Sequence, residues 1–200
     1  MARRARKSAP AKLDRSFFDR HALTVARDLI GVTLLVDGVG GKIVEVEAYD
    51  ETDPASHIYE GRRTPRNESM FGPAGIAYVY RSYGVHWCLN FVCGTEPIGG
   101  AVLIRALEPT TGLTAMVKRR GPFQPKQLCA GPGRLTEALG ITKALDGKAL
   151  DAPPFSLLPR TDRPDIAVGP RIGITRGVDL QWRFGLAGSP FLSRRFAKAT

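Results

Sequence analysis

The sequence is poor in the residues that build covalent or metal frameworks. Its three cysteines, Cys88, Cys93 and Cys129, are an odd number at spacings that match no zinc pattern, so they read as free thiols in a reducing compartment. The three histidines, His21, His57 and His86, are scattered and form no H-E-x-x-H element. No protein-bound metal is expected. A Walker A loop, a Rossmann fingerprint and a G-x-S-x-G element are lacking too, so no cofactor is expected either. No run of ~18 apolar residues is present to span a membrane. The basic N-terminus leads into no apolar segment of the kind a secretory signal needs. The expected setting is soluble and intracellular: cytoplasm or nucleoid in a bacterium, nucleus in a eukaryote.

What is present is a chain of 200 residues, 43% hydrophobic and 24% charged, which suits one globular domain. A domain of that size buries roughly 70% of its unfolded surface. Lys and Arg outnumber Asp and Glu by 29 to 19, a net charge of +10. Half of that excess lies in residues 1–12, where Arg3, Arg4, Arg6, Lys7 and Lys12 stand without an acid. This stretch reads as a disordered basic tail, and residues 13–200 as a single domain. The domain stays basic without the tail, which favours a polyanionic partner such as nucleic acid.

Along the chain, Ser16 is placed to cap a helix from Phe17 to about Ile30, with Phe18, Ala22, Val25, Ala26 and Leu29 on its core face. Val32–Val36 and Lys42–Tyr49 read as strands around the glycine-rich turn 37–41. Residues 50–71 are polar and resemble a structured loop. Ile76–Tyr80, His86–Cys93 and Ala101–Leu107 are β-rich runs between turns. Short helices are expected over Thr111–Arg120 and Gly133–Leu139. Five prolines between Ala152 and Pro170 suggest an extended surface loop, and Arg171–Thr175 and Trp182–Ala187 suggest closing strands. The layout is α+β: a single compact domain around a curved, mainly antiparallel, open-barrel-like sheet with flanking helices.

Two segments carry chemistry. In Ile43-Val44-Glu45-Val46-Glu47-Ala48-Tyr49, strand alternation puts Ile43, Glu45, Glu47 and Tyr49 on one face and Lys42, Val44, Val46 and Ala48 on the other. Two glutamates are unusual in so short a strand. Either they form a solvated face or they form a site. The second segment, Tyr78 to Asn90, gathers Tyr78, Tyr80, Tyr83 and Trp87 around Arg81, which suits base stacking beside phosphate contacts and equally suits a core. Arg105 interrupts an apolar run and needs a partner, structural or catalytic. Arg62, Arg66 and Arg134 are candidates for backbone phosphates, the last at a helix start.

Taken in order, these residues resemble a known family. Val44-Glu45-Val46-Glu47-Ala48-Tyr49, His57, Arg63-Thr64-Pro65-Arg66-Asn67 and Met70-Phe71 are similar to the alkyladenine (3-methyladenine) DNA glycosylase family of base-excision repair. The match continues through Tyr78-Val79-Tyr80, Tyr83-Gly84, Cys88-Leu89-Asn90, Leu103 to Pro109, Leu128 to Pro132, Arg171 to Ile174 and Gly188-Ser189-Pro190. His86-Trp87 stands where the family more usually has paired aromatics.

The resemblance implies a monomer that binds duplex DNA containing damaged purines through the minor groove. It implies that an alkylated or deaminated purine is flipped into a pocket and its N-glycosidic bond hydrolysed. By position, Glu47 matches the catalytic glutamate that activates water, helped by Arg105. Tyr49, His57 and Tyr80 match the rings around the flipped base, and Asn90 matches the asparagine that disfavours guanine. Ile172 matches a backbone contact near the water, and Tyr83 matches the residue wedged into the duplex. Strand parity turns Lys42, the nearest lysine, away from Glu47, so a monofunctional enzyme without lyase activity is expected. The rival readings are a nucleic-acid-binding protein without catalysis and a hydrolase of free nucleosides.

Overall fold

In the computed structural model, which describes residues 13–94 and 99–197, β1 (Thr33–Val36) and β2 (Val39–Tyr49) form a hairpin. The expected tail, residues 1–12, lies outside the described residues. The hairpin turn is shorter than the glycines suggest. Only Asp37 and Gly38 make it, both at positive φ (48° and 75°), and β2 begins at Val39. Gly40 and Gly41 lie inside β2 because a Cβ on either would sit 1.9 Å from a carbonyl oxygen, that of Leu34 or Glu108.

Strand β2 organises the sheet. Along one edge it pairs with β5 (Gly100–Thr111). Along the other its first half pairs with β1 and its second half, Glu45–Glu47, with β8 (Arg183–Leu186). With β3 (Ala77–Ser82), β4 (His86–Cys93), β6 (Phe155–Leu158) and β7 (Ile166–Gly169), the order is β3-β4-β5-β2-β1-β6, with β7 and β8 branching from β2. Every described pairing is antiparallel, and the sheet curls into a half-barrel.

The register of β2 against β5 slips between Ile43 and Val46. This bulge corrects the simple alternation. Ile43 joins the main core with Val46 and Ala48, whereas Glu45 and Glu47 remain together on the opposite side.

The first expected helix is broken in two. Asp14, not Ser16, caps α1 (Arg15–Phe18), and its carboxylate accepts from the Ser16 N–H and hydroxyl. The chain leaves helical geometry at Asp19, and the His21 ring caps α2 (Ala22–Leu29). The core face nevertheless holds the residues the periodicity selects: Phe18, Val25, Ala26 and Leu29 are fully buried. Helices α3 (Leu113–Arg120), α4 (Pro125–Leu128) and α5 (Pro132–Leu139) follow β5, and α5 opens on its proline.

The proline-rich stretch is not a loop throughout. Pro154 and Pro159 bracket β6, and Pro164 and Pro170 bracket β7, so no proline removes a ladder donor. Conversely, residues 171–175 form bends rather than a strand. Residues 50–71 are a structured loop with two 3₁₀ turns, Tyr59–Gly61 and Glu68–Phe71.

Candidate active site

The solvated-face reading of the paired glutamates fails, because Glu45 and Glu47 are both fully buried. A buried carboxylate needs donors, and the two find different ones. Oε1 of Glu45 accepts from Arg105 Nε (3.1 Å), Arg183 Nη1 (3.1 Å) and the Ser193 hydroxyl (2.8 Å). Its Oε2 accepts from the Ser193 backbone N–H. Glu47 is less crowded. The Tyr49 hydroxyl donates to Oε2 (2.9 Å), Arg105 Nη1 is ion-paired with the same oxygen (3.2 Å), and the Ile172 N–H donates to Oε1 (2.8 Å).

Among the described residues, Glu47 and not Glu45 lines the cavity beside the pair. This cavity, about 650 Å³, is lined by Glu47, Tyr49, His57, Tyr80, Asn90, Arg105 and Ile172, with Tyr83 at the mouth. Strands β2, β3, β4 and β5, two loops and the β3–β4 turn thus bring eight of the sequence-derived candidates to one place. Arg66 lines it as well, with its guanidinium 4.9 Å from the Tyr80 ring centre and bonded to the Arg81 carbonyl at 3.1 Å. Arg62 and Arg134 are exposed and do not line it. Arg134 leans on the Ala130 carbonyl at 3.4 Å.

The rings are held by partners that sequence reasoning missed. His57 Nδ1 lies 2.9 Å from the Tyr78 hydroxyl, and its ring meets Tyr80 edge-on at 4.7 Å between centres. Buried Asn67 clamps the loop beneath, donating to the His57 and Arg62 carbonyls while accepting from Thr64. Arg171 covers Tyr49, 4.5 Å from its ring centre, and forms a buried ion pair with Asp53. The Asn90 amide donates to the Tyr78 carbonyl at 3.2 Å. Tyr83 has no such packing: it is 88% exposed, with φ 48°, at the tip of the β3–β4 hairpin.

The electrostatics follow from burial and charge. Burial, reinforced by Arg66 and Arg62, lowers the His57 pKa to about 4, so the ring is neutral near pH 7. Burial and the neighbouring Glu47 push the Tyr49 phenol well above its ordinary value, so it stays a donor. Burial opposes the charge on Arg105, but Glu47 and Glu45 outweigh it and raise its pKa. No group of three or more His, Cys, Asp or Glu side chains suited to a metal occurs among the described residues.

A family model described as methylpurine-DNA glycosylase matches residues 16–190. The chain belongs to that family. Relatives named "putative 3-methyladenine DNA glycosylase" agree. One from Nitrobacter winogradskyi is 59% identical over 94% of this chain and 89% of its own length. Another from Bradyrhizobium diazoefficiens is 60% identical over 93% and 92%, and one from Agrobacterium fabrum is 55% identical over 92% and 94%. Family membership makes the protein a DNA glycosylase, a hydrolase acting on N-glycosyl bonds, with DNA as its substrate. A methylpurine-DNA glycosylase is also what the ordered residue matches implied. Asp53, Arg183 and Ser193 are contributors the sequence did not nominate, and Tyr78 and Arg171 stood in its motifs without these contacts. The available signal was the need of each buried charge for an opposite partner, which names the requirement but not the residue.

Proposed function

We propose that this protein is a monofunctional glycosylase that flips an alkylated or deaminated purine out of duplex DNA and hydrolyses its glycosidic bond with a Glu47-activated water. One arrangement carries the reading: the Glu47 carboxylate faces the ring-lined cavity with Oε1 holding a single donor, the Ile172 N–H. That oxygen retains a lone pair for a water proton and lies on the cavity, whereas Glu45 is not part of the cavity lining and spends its carboxylate on Arg105, Arg183 and Ser193.

In the reaction the water oxygen bonds to C1′ of the sugar as the C1′–N bond breaks. The electron pair leaves with the base, and the water proton goes to Glu47. An N-alkylated purine carries positive charge, and that electron pair neutralises it, so one carboxylate suffices. A neutral base such as hypoxanthine leaves with the electron pair as an anion and takes its proton from solvent water. The anionic carboxylate also stabilises the oxocarbenium-like sugar that forms on the way. Arg105 and the Tyr49 hydroxyl hold the Glu47 carboxylate in place for the water.

Selectivity has two supports. Neutral His57 lines the cavity with Tyr49 and Tyr80, and a tyrosine face over a cationic base is worth roughly 0.5–2 kcal/mol. In this reading Asn90, which lines the cavity, rejects the 2-amino group of guanine. Exposed Tyr83 refills the stack after the base leaves, offsetting part of the few kcal/mol that extrusion costs. The absence of lyase activity is supported by a cavity lining without lysine among the described residues.

The test uses duplex oligonucleotides bearing hypoxanthine or ethenoadenine, and methylated duplex DNA. The wild type is expected to release the altered base and leave strands that break only on alkali treatment. Glu47→Gln is expected to bind without release, and borohydride to trap no covalent adduct. DNA binding without release from any of the three substrates overturns the reading.

A further inference from the structure

The second buried carboxylate has no part in the steps above, yet it is the better ligated of the two. Glu45 takes hydrogen bonds from Arg105, Arg183 and both donors of Ser193. Replacing a buried ion pair by apolar packing of similar volume is often neutral or stabilising, so stability alone is a weak reason for such a cluster. What the cluster does fix is Arg105. A guanidinium is a rigid plane. Nε of this one is bound to Glu45, Nη2 lies 3.4 Å from the Ser193 hydroxyl, and Nη1 faces Glu47 at 3.2 Å. With two of the three nitrogens held, the direction of the third is set.

The geometry points to Glu45 and Ser193 as positioning residues that aim Arg105 at the Glu47 carboxylate. This inference rests on the function proposed above. Two consequences follow from the contacts. First, the Glu45 charge, shared between Arg105 and Arg183, stops Arg105 from swinging wholly onto Glu47 and covering the lone pair that the water needs. Second, the C-terminal segment becomes part of the site. The matched family span ends at residue 190, before Ser193. The segment is fastened beyond Ser193 too: Arg183 donates to the Arg194 carbonyl at 3.0 Å and lies 3.8 Å from the Phe196 ring centre. These contacts tie the end of the chain to the strand that also holds Glu45.

Single-turnover excision on a hypoxanthine duplex separates this role from a structural one, with DNA affinity and thermal unfolding measured on the same variants. Glu45→Gln keeps the shape and loses the charge. Its excision rate is expected to fall on the order of 10–100-fold, the range in which small misplacements of catalytic groups are felt, with DNA affinity within about twofold of wild type. Ser193→Ala is expected to slow excision several-fold, and Ser193→Thr, which restores the hydroxyl, to recover most of that loss. Should Glu45→Gln fail to fold, the Ser193 pair decides by itself. The inference is overturned if folded Glu45→Gln excises at the wild-type rate, if rate and affinity fall together, or if Ser193→Thr is no better than Ser193→Ala. A wild-type protein that releases nothing overturns the underlying function instead, and the inference with it.

Discussion

The backbone N–H of Ile172 donates to Oε1 of Glu47 across 2.8 Å and 125 positions of sequence. The segment that supplies it has no strand to hold it. It is held through Arg171, whose guanidinium bonds the Asp53 carboxylate and the Ala48 carbonyl (3.0 Å) and lies over the rings of Tyr49 and Trp182.

Arg171→Met tests that anchor. It leaves the Asp53 carboxylate buried without its partner, and breaking a buried pair this way costs about 3–5 kcal/mol. Urea unfolding is expected to register that loss, and excision to fall with it because Ile172 loses its fixed position. A change under about 1 kcal/mol would mean that water replaces the guanidinium and that the anchor lies elsewhere.

His57 predicts an acid-sensitive window. The unfolded chain binds a proton at the ordinary histidine value of 6.5, the folded protein only at about 4. The unfolded state thus binds more protons between these values, and stability falls as pH drops through them. The loss is on the order of 3 kcal/mol in total, and the contribution is fully present above about pH 6.5. Unfolding free energies measured across this range are expected to be flatter for His57→Gln. An equal slope in both proteins would assign the acid sensitivity to other groups.

Tyr83 predicts a functional loss without a structural one. The side chain is exposed, so Tyr83→Ala is expected to change stability by no more than about 0.5 kcal/mol. Loss of one base-stacking ring costs about 1–3 kcal/mol, so excision from duplex DNA is expected to drop roughly tenfold or more. The same lesion in a single strand is expected to be affected less. Equal losses on both substrates would remove the wedge role.

The order of the elements was largely legible, and the misreadings have simple causes. Helical periodicity identified the core face of residues 18–29 although the helix breaks at Asp19, because burial selects side chains whatever the backbone does between them. The prolines of residues 153–170 suggested a loop, yet they bracket β6 and β7, since a strand tolerates proline at its ends. The β2 bulge escaped notice because alternation assumes an unbroken register, and it moved Ile43 into the core.

By itself the sequence determined that Glu45 and Glu47 share a face, that Arg105 needs a partner and that the run Tyr78–Asn90 is rich in aromatics. Only the tertiary structure decided which glutamate lines the cavity. Side-chain direction is a local property of a strand, but the partners of a buried carboxylate are brought from afar. Ser193, Arg183 and Arg105 surround Glu45, while Ile172 and Tyr49 hold Glu47 on the cavity. Which donors arrive is fixed by how the sheet curls and where the last segment of the chain comes to rest.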